Sequence, residues 1–347
     1  MQRIYLDQFS PQSELIVSEH QVTKAKFPCL DIHTHMGKLL LGEDYRKKYD
    51  TAEHLAKLRE LNIVAVVNLD GLWGADLTAM LEKTGAYPEQ ILNFMWIDFT
   101  DFENPDFPER TREKMRLCFK MGARGVKLWK FISLGITDSQ GNYLRLDDER
   151  LNVIFTTAAE LQIPVLMHVA DPTAFFKPLD EFNERFEELQ ANPDWSFYDP
   201  KFFSFKELME MQDRVIAKNP ATTFIVAHFG SYSENLNHVA KRLESYPNMY
   251  VDTAARLAEL GRQPYSSYDF FMKFQDRILF GTDLTPDADY RAYYPYFRFF
   301  ETKDEYFDYQ APGQRPGQGR WKIYGIDLPD EILKKIYYEN AKKILAW

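Results

Sequence analysis

The chain has 347 residues, 45% hydrophobic and 27% charged, a composition that can bury a large core and excludes a disordered or fibrous class. Lys plus Arg 42 against Asp plus Glu 52 leaves a formal net charge of −10, which argues against nucleic acid or an anionic membrane surface and for a small-molecule substrate. Cys29 and Cys118 make no Cys-x-x-Cys spacing, and no run approaches the roughly 20 apolar residues of a membrane span. The expectation is a cytoplasmic protein with reduced thiols, a trimmed signal peptide being the alternative.

Residues 1–26 read as an extended N-terminal arm. From 27 to 347, short apolar runs alternate with longer amphipathic ones: 29–33, 63–69, 91–97, 124–129, 164–169, 223–229, 249–253 and 278–283. Most are apolar throughout rather than alternating, as strands covered on both faces are. Between the fourth and fifth, Leu151, Ile154, Phe155, Ala158 and Ala159 follow one buried helical stripe. In the last segment Pro329 falls at a first helical position, Asp330 and Glu331 in the first turn, and Asp327 upstream as a cap, with Ile332, Leu333, Ile336 and Ile344 on one side.

Eight βα repeats without a composition break predict a single α/β domain, a (β/α)₈ TIM barrel. The runner-up, an open doubly wound sheet, lacks a Gly-rich phosphate loop after its first strand. Two aromatic-rich insertions, about 171–219 and 290–325, exceed what a barrel needs. Both follow strand C-termini and are predicted to lie over the barrel mouth, where binding loops belong. The alternative is that they form the contact of a homo-oligomer, since Tyr, Phe and Arg are also enriched at interfaces.

The chemistry concentrates at strand ends. His33 and His35, in DIHTHMG, are two apart and so share one face of an extended strand, where both imidazoles can converge on a metal ion. Lys127, His168, His228 and Asp283 lie near the carboxyl ends of the fourth, fifth, sixth and eighth runs, which a closed barrel gathers into one ring. Singly, His168 could be a hydrogen-bonded core histidine, Lys127 a snorkelling side chain and Asp283 a turn cap. Jointly they are harder to dismiss, because four of the seven histidines fall at strand ends. His20, His54 and His238 fall in the arm or on helices and are assigned to surfaces. Three or more imidazoles with a carboxylate suit Zn²⁺, with Mn²⁺ or Fe²⁺ as alternatives. Such a metal lowers the pKa of a bound water; Asp283 could accept its proton, and His228 could act as ligand or as a donor to the substrate oxygen.

This arrangement resembles the amidohydrolase superfamily: His-x-His on strand one, Lys on strand four, His on strands five and six, Asp on strand eight. FGTD followed by YYENAKKIL is similar to the amidohydrolase-related branch, which contains hydrolases and metal-dependent decarboxylases. The resemblance spans residues 27–346. It implies that His33, His35, His168 and Asp283 bind one metal, that His228 does acid/base chemistry, and that Lys127 stands where some members carry a carboxylated lysine bridging two metals. Arg256, Arg262 and Arg298 are candidates for binding a substrate carboxylate, or else ties from the aromatic loops to Glu301 or Glu305. Trp129, Phe175 and Phe176 are candidates for an apolar wall, or else core. The functional expectation is a metal-dependent hydrolase of a small organic acid, lactone, ester or amide. The alternatives are a decarboxylase of an aromatic or muconate-type acid and a non-catalytic metal-containing binding protein.

Overall fold

Each of the eight apolar runs forms a strand in the computed structural model, which describes residues 3–5 and 8–345. Residues 1, 2, 6 and 7 of the predicted arm and 346–347 of the predicted barrel lie outside the described residues. The strands are β1 (Cys29–Thr34), β2 (Ile63–Asn68), β3 (Ile91–Met95), β4 (Gly125–Leu128), β5 (Val165–Met167), β6 (Phe224–Val226), β7 (Met249–Asp252) and β8 (Ile278–Leu279). They pair in parallel in chain order. The remaining seam is bridged where Ile32 N donates to Phe280 O, Asp283 N to His33 O and His35 N to Leu284 O. The fold is therefore a (β/α)₈ TIM barrel, and the doubly wound sheet is excluded.

The uniformly apolar runs follow from burial on both faces. Alternate residues such as Leu30, Ile32, Val67, Leu166 and Ile225 fill one cluster joined by Ala341 and Leu345 of the terminal helical segment. Their neighbours, such as Cys29, Val66, Val165 and Phe224, belong to the larger cluster that packs against the helices. The stripe between β4 and β5 forms a 3₁₀ turn, Glu149–Leu151, and a helix, Asn152–Glu160; Val153 and Thr157 are buried with it, and Ala159 is only half-buried.

The terminal helix departs from expectation. Pro329 is the cap residue and not the first helical one, while Asp327 sits at φ 44° as the partner of Lys303. Its middle, Lys335–Glu339, is a π turn, and Ile336 O accepts from Phe280 N beside β8. Periodicity cannot show a π turn, because it shifts the repeat by a single residue.

His54 is also a correction. It is buried, not superficial, with Nδ1 2.6 Å from Tyr290 Oη, because the chain after β8 folds back over its helix, Thr51–Glu60. Burial, helped by Lys57, pushes it down to about 4 from 6.5. The unfolded chain therefore takes up a proton that the folded one refuses, and this group removes stability as pH falls from about 6.5 toward 4. His54→Gln should lower the slope of urea stability against pH in that window; an unchanged slope would remove His54 as a source.

After β5 the chain forms the short helix Phe186–Ala191 before the long helix Phe205–Lys218, which starts at a Ser204/Glu207 capping box. After β8 it forms the helix Tyr294–Glu301 and a long loop. The two excursions grip each other. Glu187 pairs with Arg315 and Arg320; Glu184 of the first excursion pairs with Arg262, which follows β7. Arg185, fully buried, pairs with Glu188 and with Glu259 after β7. Among the described residues, no helix is long and apolar enough to cross a membrane.

Candidate active site

Four imidazoles and one carboxylate meet at the carboxyl ends of the strands, and their outer partners fix which nitrogen of each ring faces inward. His33 Nδ1 lies 2.8 Å from Asp252 Oδ2, and His35 Nδ1 2.9 Å from Asp70 Oδ1. Both donate to these carboxylates and turn Nε2 toward Asp283 Oδ1, at 3.4 and 2.9 Å. His228 Nδ1 lies 3.0 Å from Ala254 O, which only accepts, so its Nε2 carries the free electron pair. His168 Nε2 faces Asp171 Oδ1 at 3.1 Å, and Lys130 holds Asp171 ionised, so His168 presents Nδ1. That atom lies 3.2 Å from His228 Nε2.

Two imidazole electron pairs face to face at that distance repel unless a cation sits by both. Each ring donating its other N–H to a carboxylate or carbonyl is the arrangement that orients metal-ligating histidines. The donor set therefore fits a divalent metal. His33, His35 and Asp283 have ligand atoms within 4.8 Å of one another.

Electrostatics agree. Burial pushes His33 and His228 well below the ordinary imidazole range and takes His168 to about 4. Burial also opposes charge on His35, but Asp70 and Asp283 outweigh it and lift the ring to about 9. Either a proton or a metal between His35 and Asp283 answers the same carboxylate. Asp283, despite its burial, is held far below the usual carboxylate range by His33, His35 and His228.

The backbone is bent to deliver these groups. His228 and Phe229 have φ of 56° and 58°, and Asp283 has φ 70°, left-handed values that cost non-glycine residues about 1 kcal/mol or more each. His228 N donates to Asp252 Oδ1 and Asp283 N to His33 O, which hold the two bends. Gly281 of FGTD lets the chain pass over His33: a Cβ there would stand 3.0 Å from His33 Cβ. Gly37 has the same task beside Asp70, where a Cβ would stand 2.5 Å from Asp70 Cβ.

Lys127 is buried with Nζ 3.4 Å from His33 Nε2 and 4.7 Å from the Trp129 ring centre. Burial lowers it to about 8, against the pull of Asp283, Asp252 and Asp70. Trp129 stands 5.0 Å from His35 and 5.1 Å from Trp96, centre to centre. Arg256 is buried near His228, close enough for its charge to act on that ring.

The other candidates are not brought here. Arg262, at the far end of the Leu257–Gly261 helix, pairs with Glu184 and covers Trp321 at 3.9 Å. Arg298 pairs with Asp304 and stands beside the N-terminal arm. The loop ties thus run to Glu184 and Asp304; Glu301 instead accepts from Lys26 N and Tyr337 Oη. Phe175 and Phe176 pack against Trp195, Phe197 and Phe205 in the first excursion.

Sequence reading missed Asp31, Asp70, Asp171 and Asp252. Asp70 directly follows the second run and Asp252 lies next to the end of the seventh, which is a signal of the same kind as that of His168 and His228. Asp31 accepts from His33 N, Thr282 N and Tyr293 Oη, fastening β1 to the chain after β8. Asp252 serves His33 Nδ1, His228 N and Ala254 N together. Asp252→Asn should weaken metal binding about 10–100-fold, measured by competition with a chromophoric chelator. Unchanged affinity would assign Asp252 to backbone support alone.

The family model described as Amidohydrolase matches residues 30–347. No curated protein matches the sequence. Among solved structures the chain is similar to 2,6-dihydroxybenzoate decarboxylase from Rhizobium (14% identity, TM-score 0.57, covering 93% of this chain and 99% of that one). It is similar to a dihydroxybenzoic acid decarboxylase from Polaromonas sp. JS666 with bound manganese and the inhibitor 2-nitroresorcinol (16%, 0.57, 93% and 97%). It is also similar to a probable 2-pyrone-4,6-dicarboxylic acid hydrolase from Acinetobacter baumannii with citric acid bound (13%, 0.51, 92% and 100%).

Proposed function

The chain belongs to the amidohydrolase family, and from that premise we propose that it is a metal-dependent hydrolase of a small organic acid, lactone, ester or amide. The observation that carries this is that His33 and His35 both turn Nε2 onto a carboxylate that still opens to a cavity, with His228 and His168 beside them: the Asp283 side chain is 29% exposed. His33, His35, His168 and Asp283 would hold the ion, Zn²⁺ with Mn²⁺ or Fe²⁺ as alternatives. When bound, the metal supplies Lewis acidity and a water of lowered pKa.

The rest falls to the chain. Asp283 Oδ1 is shared with His33 and His35, and its second oxygen is the acceptor for the proton of the attacking water. His228, pinned through Nδ1 to Ala254 O, presents an unprotonated Nε2, so its part is to take a proton and not to donate to the substrate oxygen. The Lys127 ammonium adds positive charge beside His33; its carboxylated form would make it a bridging ligand for a second metal.

Decarboxylation is the second reading. The Trp96–Trp129 wall against His35 favours it, since a flat aromatic acid can lie against it. Elemental analysis of metal-replete protein, with a screen of lactones, amides and aromatic acids in ¹⁸O-labelled water, tests both. Label in the organic product supports hydrolysis; CO₂ released with an organic product that carries no label overturns it for the second reading. A metal stoichiometry near two would promote Lys127 to ligand, and bound metal with no turnover would leave a binding protein.

A further inference from the structure

We infer that the groove over the carboxyl ends of β1 to β4 is a second substrate subsite, which takes a flat, uncharged aryl tail of a molecule whose reacting head lies at the metal centre. The inference rests on the metal-dependent reading above and adds the chemistry of the substrate's far end.

The groove measures about 690 Å³, a size that suits a small-molecule site. Its lining comes from four successive loops: Lys38 follows β1, Trp73 follows β2, Trp96 and Phe99 follow β3, and Thr137 follows β4. It therefore opens on the same face of the barrel as His33, His35 and Asp283. The cavity at Asp283, about 180 Å³, has room for a reacting head and little more. Continuity between the two runs through a pair of rings. Trp129 meets both His35 and Trp96, at 5.0 and 5.1 Å between centres, and Trp96 itself lines the groove.

The walls are fixed before any ligand arrives. Trp96 Nε1 donates to Leu69 O and Trp96 N to Leu72 O at 3.4 Å, which ties the loop after β3 to the turn after β2. In that turn Leu72 is buried at a left-handed φ of 52°, while Trp73 beside it stays half-buried at the groove. Strain of this kind persists only where the surroundings hold it, and here it sets a large ring in the groove rather than in the core. The charges are answered as well. Lys38 pairs with Asp76 at 3.0 Å, and Asp98 accepts from Thr100 N and Oγ1 and lies near Lys114 and Arg110. With rings on its walls and each lining charge already met, the groove suits a flat apolar group that brings no charge of its own.

Benzoate, biphenyl-4-carboxylate and biphenyl-4,4′-dicarboxylate, titrated by calorimetry into full-length protein loaded with Zn²⁺ or stripped with EDTA, test the assignment. Biphenyl-4-carboxylate should bind about 10–100-fold more tightly than benzoate, the gain expected from burying one more ring. Thr137→Trp, which fills the groove from an exposed position, should bring the two acids together with no change in benzoate affinity or Tm. Trp73→Ala should cut the gain about 3-fold or more. The dicarboxylate should bind no better than benzoate. Equal affinities of benzoate and biphenyl-4-carboxylate, or a gain that survives both substitutions, would overturn the groove as a subsite. Dicarboxylate binding as tight as that of biphenyl-4-carboxylate would overturn the uncharged tail. Stripping the metal should weaken both monoacids alike and leave their ratio standing. A standing ratio with affinities indifferent to EDTA would keep the groove and sink the metal as the anchor of the head; an EDTA response without any gain would do the reverse.

Discussion

Asp283→Asn should lower kcat by about 10²–10⁴ in metal-replete protein while leaving the fold intact. The carboxylate meets His33 and His35 through a single oxygen and is held ionised by the imidazoles around it. An amide of the same shape keeps an acceptor at that place but loses the negative charge and the ability to take a proton. The variant is also a mild one for the backbone, because Asn tolerates the left-handed φ of 70° that Asp283 adopts. Metal affinity should fall with activity, so kcat must be read at saturating metal to separate the lost base from the lost ligand. His228→Asn should also lose activity without losing structure. Undiminished turnover in either variant removes that residue from the mechanism.

Arg185→Met should produce the largest loss of stability, about 3–5 kcal/mol, because it strands Glu259 in the interior. Arg185 is fully buried and holds Glu188 at 2.6 Å along with Glu259, itself 2% exposed. Removing the cation leaves Glu259 and Glu188 without the guanidinium that joins them. Urea unfolding should show the midpoint moving down, and the double variant Arg185→Met/Glu259→Gln should recover part of the loss, since the stranded charge goes with it. A full-length protein of unchanged midpoint would show that the pair is solvated on a short timescale and contributes little.

How much of the site could be read from residues alone depends on what kind of contact each role requires. His33 and His35 point the same way because of the two-residue repeat of a strand, a local property. His168, His228 and Asp283 stand out because each ends an apolar run, and a closed barrel forces run ends together whatever the details. Asp70 and Asp252 carry the same signal, but a lone acid at a strand end is also what a turn requires. His54 was misplaced because its burial comes from Tyr290, more than two hundred residues away.

The sequence by itself determined the barrel, its strand order and the ring of groups at its open end, because the repeat of apolar side chains and the chain direction of each βα unit are short-range facts. Only the tertiary structure decided which nitrogen each imidazole presents and which arginine is left without a partner. Arg256, Arg262 and Arg298 look alike along the chain. Their fates diverge because Glu184 of the excursion after β5 reaches Arg262, and Asp304 pairs with Arg298 within the excursion after β8, while Arg256 lies near His228 with no direct ion pair among the described residues.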